Sequence, residues 1–186
     1  DIIKLSLTLA LVCIISAASL SFVYRHTEPI IEQNRKQKLN RSLTEVMGVS
    51  KEKVEKVRSG DMLERLKDKL ELEALYKGER KGGNVVYAAF ITTGGYQGPI
   101  KLLVGFDPEK AVVLEVEIME HSETPGLGAR IAEHKENKKT FLDGLEGKLK
   151  NRDKYDTITG ATISSQAVIN GIVSVLEVSL EKIKID

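Results

Sequence analysis

The chain has 186 residues, 28 Lys+Arg against 27 Asp+Glu, a formal net charge of +1 and a single cysteine. That length holds one apolar anchor plus one domain of ordinary size, and the balanced charge leaves no electrostatic footprint for nucleic acid. One thiol, Cys13, excludes an internal disulfide framework and cysteine-ligated iron–sulfur or Cys-rich zinc sites, so any redox chemistry needs a cofactor of another kind.

Residues 5–24 carry no charged side chain. At about 1.5 Å per residue, some twenty residues span a hydrocarbon core of roughly 30 Å, which predicts a transmembrane helix within an anchor at residues 1–25. A cleavable signal peptide, with Ala17-Ala18-Ser19 near a processing site, is the alternative. The run exceeds the usual apolar core of such a peptide and leads into more helix, which favours the anchor. Cys13 inside it reads as a small apolar residue. Lys4 precedes the span and Arg25 follows it, so charge counting leaves the orientation open. Beyond Pro29, the polar stretch with Ile31, Leu39, Leu43, Val46 and Met47 is expected to continue as a helix ending at Gly48. Residues 51–72, with Val54, Val57, Met62, Leu63, Leu66 and Leu70 among many charges, are expected to be partly helical with a solvated face. Residues 26–71 are thus assigned to a helical stalk or linker and residues 72–186 to the domain proper.

Four strand-like runs follow, at 73–77, 85–92, 100–106 and 112–119. Turn signals separate them at Lys81-Gly82-Gly83-Asn84, Gly94-Gly95-Tyr96-Gln97-Gly98-Pro99 and Asp107-Pro108-Glu109-Lys110, and such short connections imply antiparallel neighbours. Val112, Leu114, Val116 and Ile118 alternate with Val113, Glu115 and Glu117, as in a sheet with one wet face, whereas 85–91 is apolar throughout and reads as buried on both sides. A loop, His121-Ser122-Glu123-Thr124-Pro125-Gly126-Leu127-Gly128-Ala129-Arg130, then takes an irregular path that can bring bare backbone amides near a flat ligand. Residues 131–149 are polar and partly helical, with Phe141, Leu142 and Leu145 as packing residues. Lys148, Lys150, Arg152 and Lys154 read as a solvated connector.

The stretch Asp156-Thr157-Ile158-Thr159-Gly160-Ala161-Thr162-Ile163-Ser164-Ser165 precedes a helical pattern. Ile169, Ile172, Val173, Leu176, Leu180 and Ile183 recur at three- and four-residue steps, with Asn170, Ser174, Glu177 and Glu181 opposite. Thr162 falls in the first turn, where unpaired amides and the helix dipole favour an anion. On local chemistry alone the ordinary reading is a helix cap by Thr159 or Thr162, since Ser and Thr before helices are commonplace. The expected fold class is α+β: an antiparallel sheet with packed helices, preceded by one N-terminal transmembrane helix.

No Gly-x-Gly-x-x-Gly turn or Walker loop is present, so NAD(P)H is not expected to bind this chain. Three histidines, His26, His121 and His134, with one beside the membrane, do not make a metal site. Neither Ser164 nor Ser165 sits in a Gly-x-Ser-x-Gly elbow.

Thr159-Gly160-Ala161-Thr162, preceded by Asp156 and followed by Ser164-Ser165, resembles the flavinylation motif of the FMN-binding domain family. Gly95-Tyr96-x-Gly98-Pro99-Ile100 and Glu123-Thr124-Pro125-Gly126-Leu127-Gly128 look like two further glycine-containing signatures of that family. Their order behind one membrane span is similar to the G subunits of Rnf ferredoxin:NAD⁺ oxidoreductases, and to their near relatives, the C subunits of sodium-translocating NADH:quinone reductases. The resemblance implies FMN joined through a phosphoester to Thr162, attached by a separate flavin transferase that uses FAD and Mg²⁺ and recognises Asp156, Gly160, Ala161 and Thr162. It also implies that Thr159, Ser165, Glu123, Thr124, Gly126, Leu127, Gly128, Gly95 and Tyr96 lie near the cofactor, Tyr96 either stacking on it or packing at the sheet edge. The implied protein is an electron-relay subunit with no catalytic residue and no metal of its own. Its partners are the lipid bilayer and the other membrane subunits of an ion-translocating complex, and its domain is extracytoplasmic. The contrasting expectation is a membrane-anchored, non-redox scaffold in which the threonines only cap a helix.

Overall fold

A computed structural model describes residues 1–80, 82–133, 140–145, 147 and 155–183, with residues 182 and 183 described by their backbone alone. The chain forms two compact units, residues 1–39 and 40–186. The first is the greater part of one helix, α1 (Ile2–Met47), which contains an 18-residue window of mean hydropathy 2.2 with no part of it buried, long and apolar enough to cross a membrane. Four of its hydroxyls are satisfied internally: Ser6, Thr8, Ser19 and Thr27 each donate to a carbonyl three or four residues earlier. That bookkeeping is what a helix in hydrocarbon requires, because no water is there to pair them.

The second unit begins with the last turns of α1 and continues through β1 (Val54–Lys56), α2 (Asp61–Lys69), β2 (Glu71–Glu79), β3 (Val85–Gly94), β4 (Pro99–Asp107), β5 (Val112–His121) and α3 (Thr162–Ile183). The strands form one antiparallel meander in the order β1-β2-β3-β4-β5. Gly82 and Gly83 adopt φ of 112° and 87°, which lets the β2–β3 connection close tightly. By packing, the compact unit thus starts at Asn40, whereas the motifs alone begin the domain at residue 72. Helix α2 follows the periodicity of Met62, Leu63 and Leu66, all buried, while β1 is too short to announce itself in sequence.

One face of the sheet presents Leu75, Ala89, Ile91, Ile100, Leu102, Val104 and Phe106 to a core shared with α2 and α3. There Tyr87 stacks on Phe106 with ring centroids 5.8 Å apart. Helix α3 is apolar enough to pass for a second span, but two thirds of that window is buried as the cover of this core. Val168, Val175 and Val178 are buried along with the expected Ile169, Ile172, Val173 and Leu176, so the hidden face is broader than the sequence stripe, and Leu180 is only half-buried. Gly171 lets the helix pack closely on β3, since a Cβ there would stand 2.7 Å from the Thr93 methyl. Leu142 and Leu145 are buried and Phe141 packs at the edge of the core, as expected.

The opposite face receives the end of α1. A Cβ on Gly105 would collide with the Val46 side chain and carbonyl, and one on Gly78 would stand 2.8 Å from the end of Met47. Arg80 Nε donates to the Met47 carbonyl at 2.7 Å, closing the helix terminus, and Gly48 turns away at φ 62°. This cover explains why β3 is apolar on both sides: Val86, Ala88, Ala89 and Ile91 are all fully buried. The strict alternation expected for β5 does not hold. Gly105 pairs with Glu115 but Phe106 pairs with Val113, so Leu114 is an extra residue that shifts the register. Val113, rather than Leu114, therefore joins Val116 and Ile118 in the core. His134, Lys148, Lys150, Arg152 and Lys154 lie outside the described residues.

Candidate functional site

The meander brings the β3–β4 turn, the loop after β5 and the start of α3 to one end of the sheet. The turn is closed by Gly95 N–H donating to Gly98 O at 2.9 Å. In the loop, the Thr124 carbonyl accepts from both Leu127 and Ala129, and Gly126 takes φ of 75°. Before α3, Gly160 takes φ of 81° and Ala161 N–H donates to Ile158 O at 2.9 Å, a turn that delivers Thr162 as the first helical residue. Glycine at 160 is thus a backbone requirement of the turn.

Glu123 joins the three segments. Its carboxylate is 4% exposed; Oε1 accepts from Gln97 N–H at 3.1 Å and Oε2 from the Ser164 hydroxyl at 2.6 Å. A Cβ on either Gly95 or Gly128 would collide with those carboxylate oxygens, so both glycines are the space that the carboxylate fills. His121, by contrast, is outside the cleft, its Nδ1 accepting from Glu123 N–H at 3.3 Å.

Above this knot lies a cleft of about 310 Å³. Tyr96, Leu127 and Ile163 stand around it, at 68%, 52% and 57% exposure; no other large apolar side chain of residues 40–183 is so exposed among the described residues. Gly160, Ala161 and Thr162 contribute from the helix start, and Glu123, Thr124 and Gly128 from the loop. The Thr162 side chain is exposed and makes no hydrogen bond among the described residues, and the same is true of the Thr159 hydroxyl. Neither threonine caps the helix. Ser165 instead ties the turn that precedes the helix, its hydroxyl accepting from Ile158 N–H at 3.1 Å and donating to Ala161 O at 2.9 Å. The amides of Thr162, Ile163 and Ser164 have no carbonyl partner among the described residues, the first intrahelical-type bond being Ser165 N–H to Ala161 O.

Four of the residues expected near the cofactor, Gly95, Gly126, Thr159 and Ser165, are not among those that line this cleft. Gly95 supports Glu123, Gly126 shapes the loop, and Ser165 ties the turn. Asp156 and Thr159 line a second cleft of about 470 Å³ with Arg130, Thr140 and Phe141. Arg130 Nη1 donates to the Thr159 carbonyl at 3.4 Å across it. Just before Asp156, burial pushes the Tyr155 hydroxyl above its ordinary value of 10.0. Sequence alone did not single out Ile163, Ser164 or Arg130 as site residues; Ser164 finds its partner 41 positions away, a distance no local pattern reports.

The arrangement fits a flat aromatic ligand carrying a phosphate. It offers an apolar rim and, at a helix N-terminus, an exposed hydroxyl and amides without partners among the described residues, features suited to a phosphate ester.

Residues 95–177 match the FMN-binding domain family, and residues 1–46 match the RnfG N-terminal region. The chain is 30% identical over 181 residues to the G subunit of the ion-translocating oxidoreductase complex of Methanosarcina acetivorans, covering 95% of this chain and 94% of that one. It is 29% identical over 183 residues to the G subunit of the proton-translocating ferredoxin:NAD(+) oxidoreductase complex of Clostridium ljungdahlii, covering 95% and 91%. The corresponding G subunit of Haemophilus influenzae is 40% identical over 105 residues, about half of each chain.

Proposed function

Because the chain belongs to the family of the G subunits of ion-translocating oxidoreductase complexes, we propose that it is a single-pass, membrane-anchored electron-transfer subunit whose FMN is joined through its phosphate to Thr162. The match of residues 1–46 to the RnfG N-terminal region favours this over the C subunit of a quinone reductase. The observation that carries the attachment site is the exposed Thr162 side chain, without a hydrogen bond among the described residues, at a cleft to which all three glycine motifs contribute. The Thr159 hydroxyl is likewise without a hydrogen bond among the described residues, but Thr159 lines the other cleft.

Attachment by a flavin transferase forms the bond from Thr162 Oγ1 to phosphorus, breaks the pyrophosphate of FAD and releases AMP, the hydroxyl proton going to solvent. The amides of α3 then stabilise the remaining phosphodiester charge. Tyr96, Leu127 and Ile163 would supply apolar surface to the flavin ring, and Thr124, which also lines the cleft, would offer a hydroxyl. Bound FMN supplies one- and two-electron carrier chemistry, and the protein supplies its setting. A relay cycles its cofactor repeatedly, and a covalent link prevents loss from a site this open. The partners are the other membrane subunits of the complex and the transferase that loads it.

The test is the intact mass of full-length protein coexpressed with its flavin transferase. A gain of one FMN phosphoester is expected, located by peptide mapping to the fragment containing Thr162; a modified protein whose Thr162 peptide is unmodified overturns the site. The domain is proposed to be extracytoplasmic. Protease added to intact cells or spheroplasts should then release it, and full protection would count against that orientation.

A further inference from the structure

We infer that Glu123 is a positioning residue of the cleft: it locks the 95–98 turn to the first turn of α3 and, through its charge, lowers the reduction potential of a flavin seated there. The inference rests on the flavin reading above and extends it to a residue that makes no covalent contact. Three observations support it. First, both carboxylate oxygens are used, one by each neighbouring segment, through Gln97 and Ser164. Second, the two glycines that flank it leave room for the carboxylate and for nothing larger than hydrogen. A side chain kept merely for packing would not need two acceptor bonds and two cleared neighbours. Third, its charge is held by neutral donors; among the described residues no lysine, arginine or histidine forms an ion pair with it. The anion is 4% exposed and lines the cleft wall, so its field reaches the cleft through protein rather than through water.

An electron placed on the ring by a low-potential donor adds negative charge, compensated only if a proton follows from water. A fixed carboxylate in the wall opposes that addition, whereas a neutral amide of the same shape does not. Gln at 123 can still accept from Gln97 N–H and donate to the Ser164 oxygen, so Glu123→Gln removes charge and keeps the lock.

The experiment is a potentiometric titration of the flavin-loaded, full-length protein with dithionite and mediator dyes. Wild type is compared with Glu123→Gln and Ser164→Ala. Glu123→Gln is expected to retain its covalent flavin and to shift the midpoint upward, changing the oxidised-to-reduced ratio at fixed potential about tenfold, or about 59 mV for a one-electron couple. Ser164→Ala loosens the lock but keeps the charge, so its midpoint stays or falls. An unchanged midpoint in Glu123→Gln overturns the inference, as does an equal rise in both variants, which would mark loosening rather than charge. If Glu123→Gln yields no folded protein, Ser164→Ala decides: a raised midpoint overturns the charge role and an unraised one supports it. Wild type that holds FMN without the bond to Thr162 would sink the attachment but not this comparison, which is then made on the bound flavin. Wild type that takes up no flavin would overturn both.

Discussion

Replacing Thr162 with valine is expected to abolish the covalent flavin completely: protein coexpressed with its transferase gives no fluorescent band on a denaturing gel, while wild type does. Valine keeps the volume and branching of threonine and removes only the hydroxyl, and that hydroxyl makes no hydrogen bond among the described residues. The fold therefore has little to lose, and thermal unfolding of the unloaded variant should lie within about 0.5 kcal/mol of unloaded wild type, the range of exposed substitutions. Thr159→Val serves as the internal control, since Thr159 shares the motif but faces the second cleft with Arg130. It should remain fluorescent. A fluorescent band that persists in Thr162→Val, or one lost only in Thr159→Val, would move the attachment site.

The largest effect on stability is expected at Gly105. A valine there would drive its side chain into the Val46 carbonyl and side chain at the end of α1. Neither neighbour can yield easily. Val46 lies in a hydrogen-bonded helix whose terminus Arg80 clamps, and the β4 residues around Gly105 are fully buried. Overpacking against backbone of this kind costs about 3 kcal/mol. Denaturant unfolding of the detergent-solubilised protein, followed by the far-ultraviolet signal of the sheet, is the measurement. Gly94→Ala is the control, because a Cβ at that position meets nothing within 4 Å. If Gly105→Val unfolds at the same denaturant concentration as the control, the packing of α1 against the sheet described above is wrong.

Much of this fold is written in periodicity. The three- and four-residue steps from Ile169 onward locate α3, and the turn glycines place four of the five strands, because local backbone preference and burial there agree. The features that escape are those set by distant neighbours. Leu114 reads as a core residue by alternation, yet the extra residue it contributes to β5 hands that place to Val113. Leu43, Val46 and Met47 read as part of a stalk because nothing local reveals that Gly78 and Gly105 make room for them. At the site the contrast is sharper. The glycines and threonines are visible as motifs, but the reason two of the glycines must be glycines is a carboxylate tied to a serine 41 positions away. Sequence marks where the backbone is unusual, and the long-range contact supplies the cause.

Helix α3 covers the sheet and also carries the proposed acceptor in its first turn. Strands β1 to β5 pair only with sequence neighbours, so they can assemble while the chain is still being synthesised. Their apolar face nonetheless stays wet until α3 emerges. A ribosome that stalls before α3 therefore releases a molecule with neither a closed interior nor a hydroxyl to modify. Under the proposed attachment, loading at Thr162 marks a molecule as finished, and unloaded fragments are distinguishable from the mature subunit before any of them meets the complex.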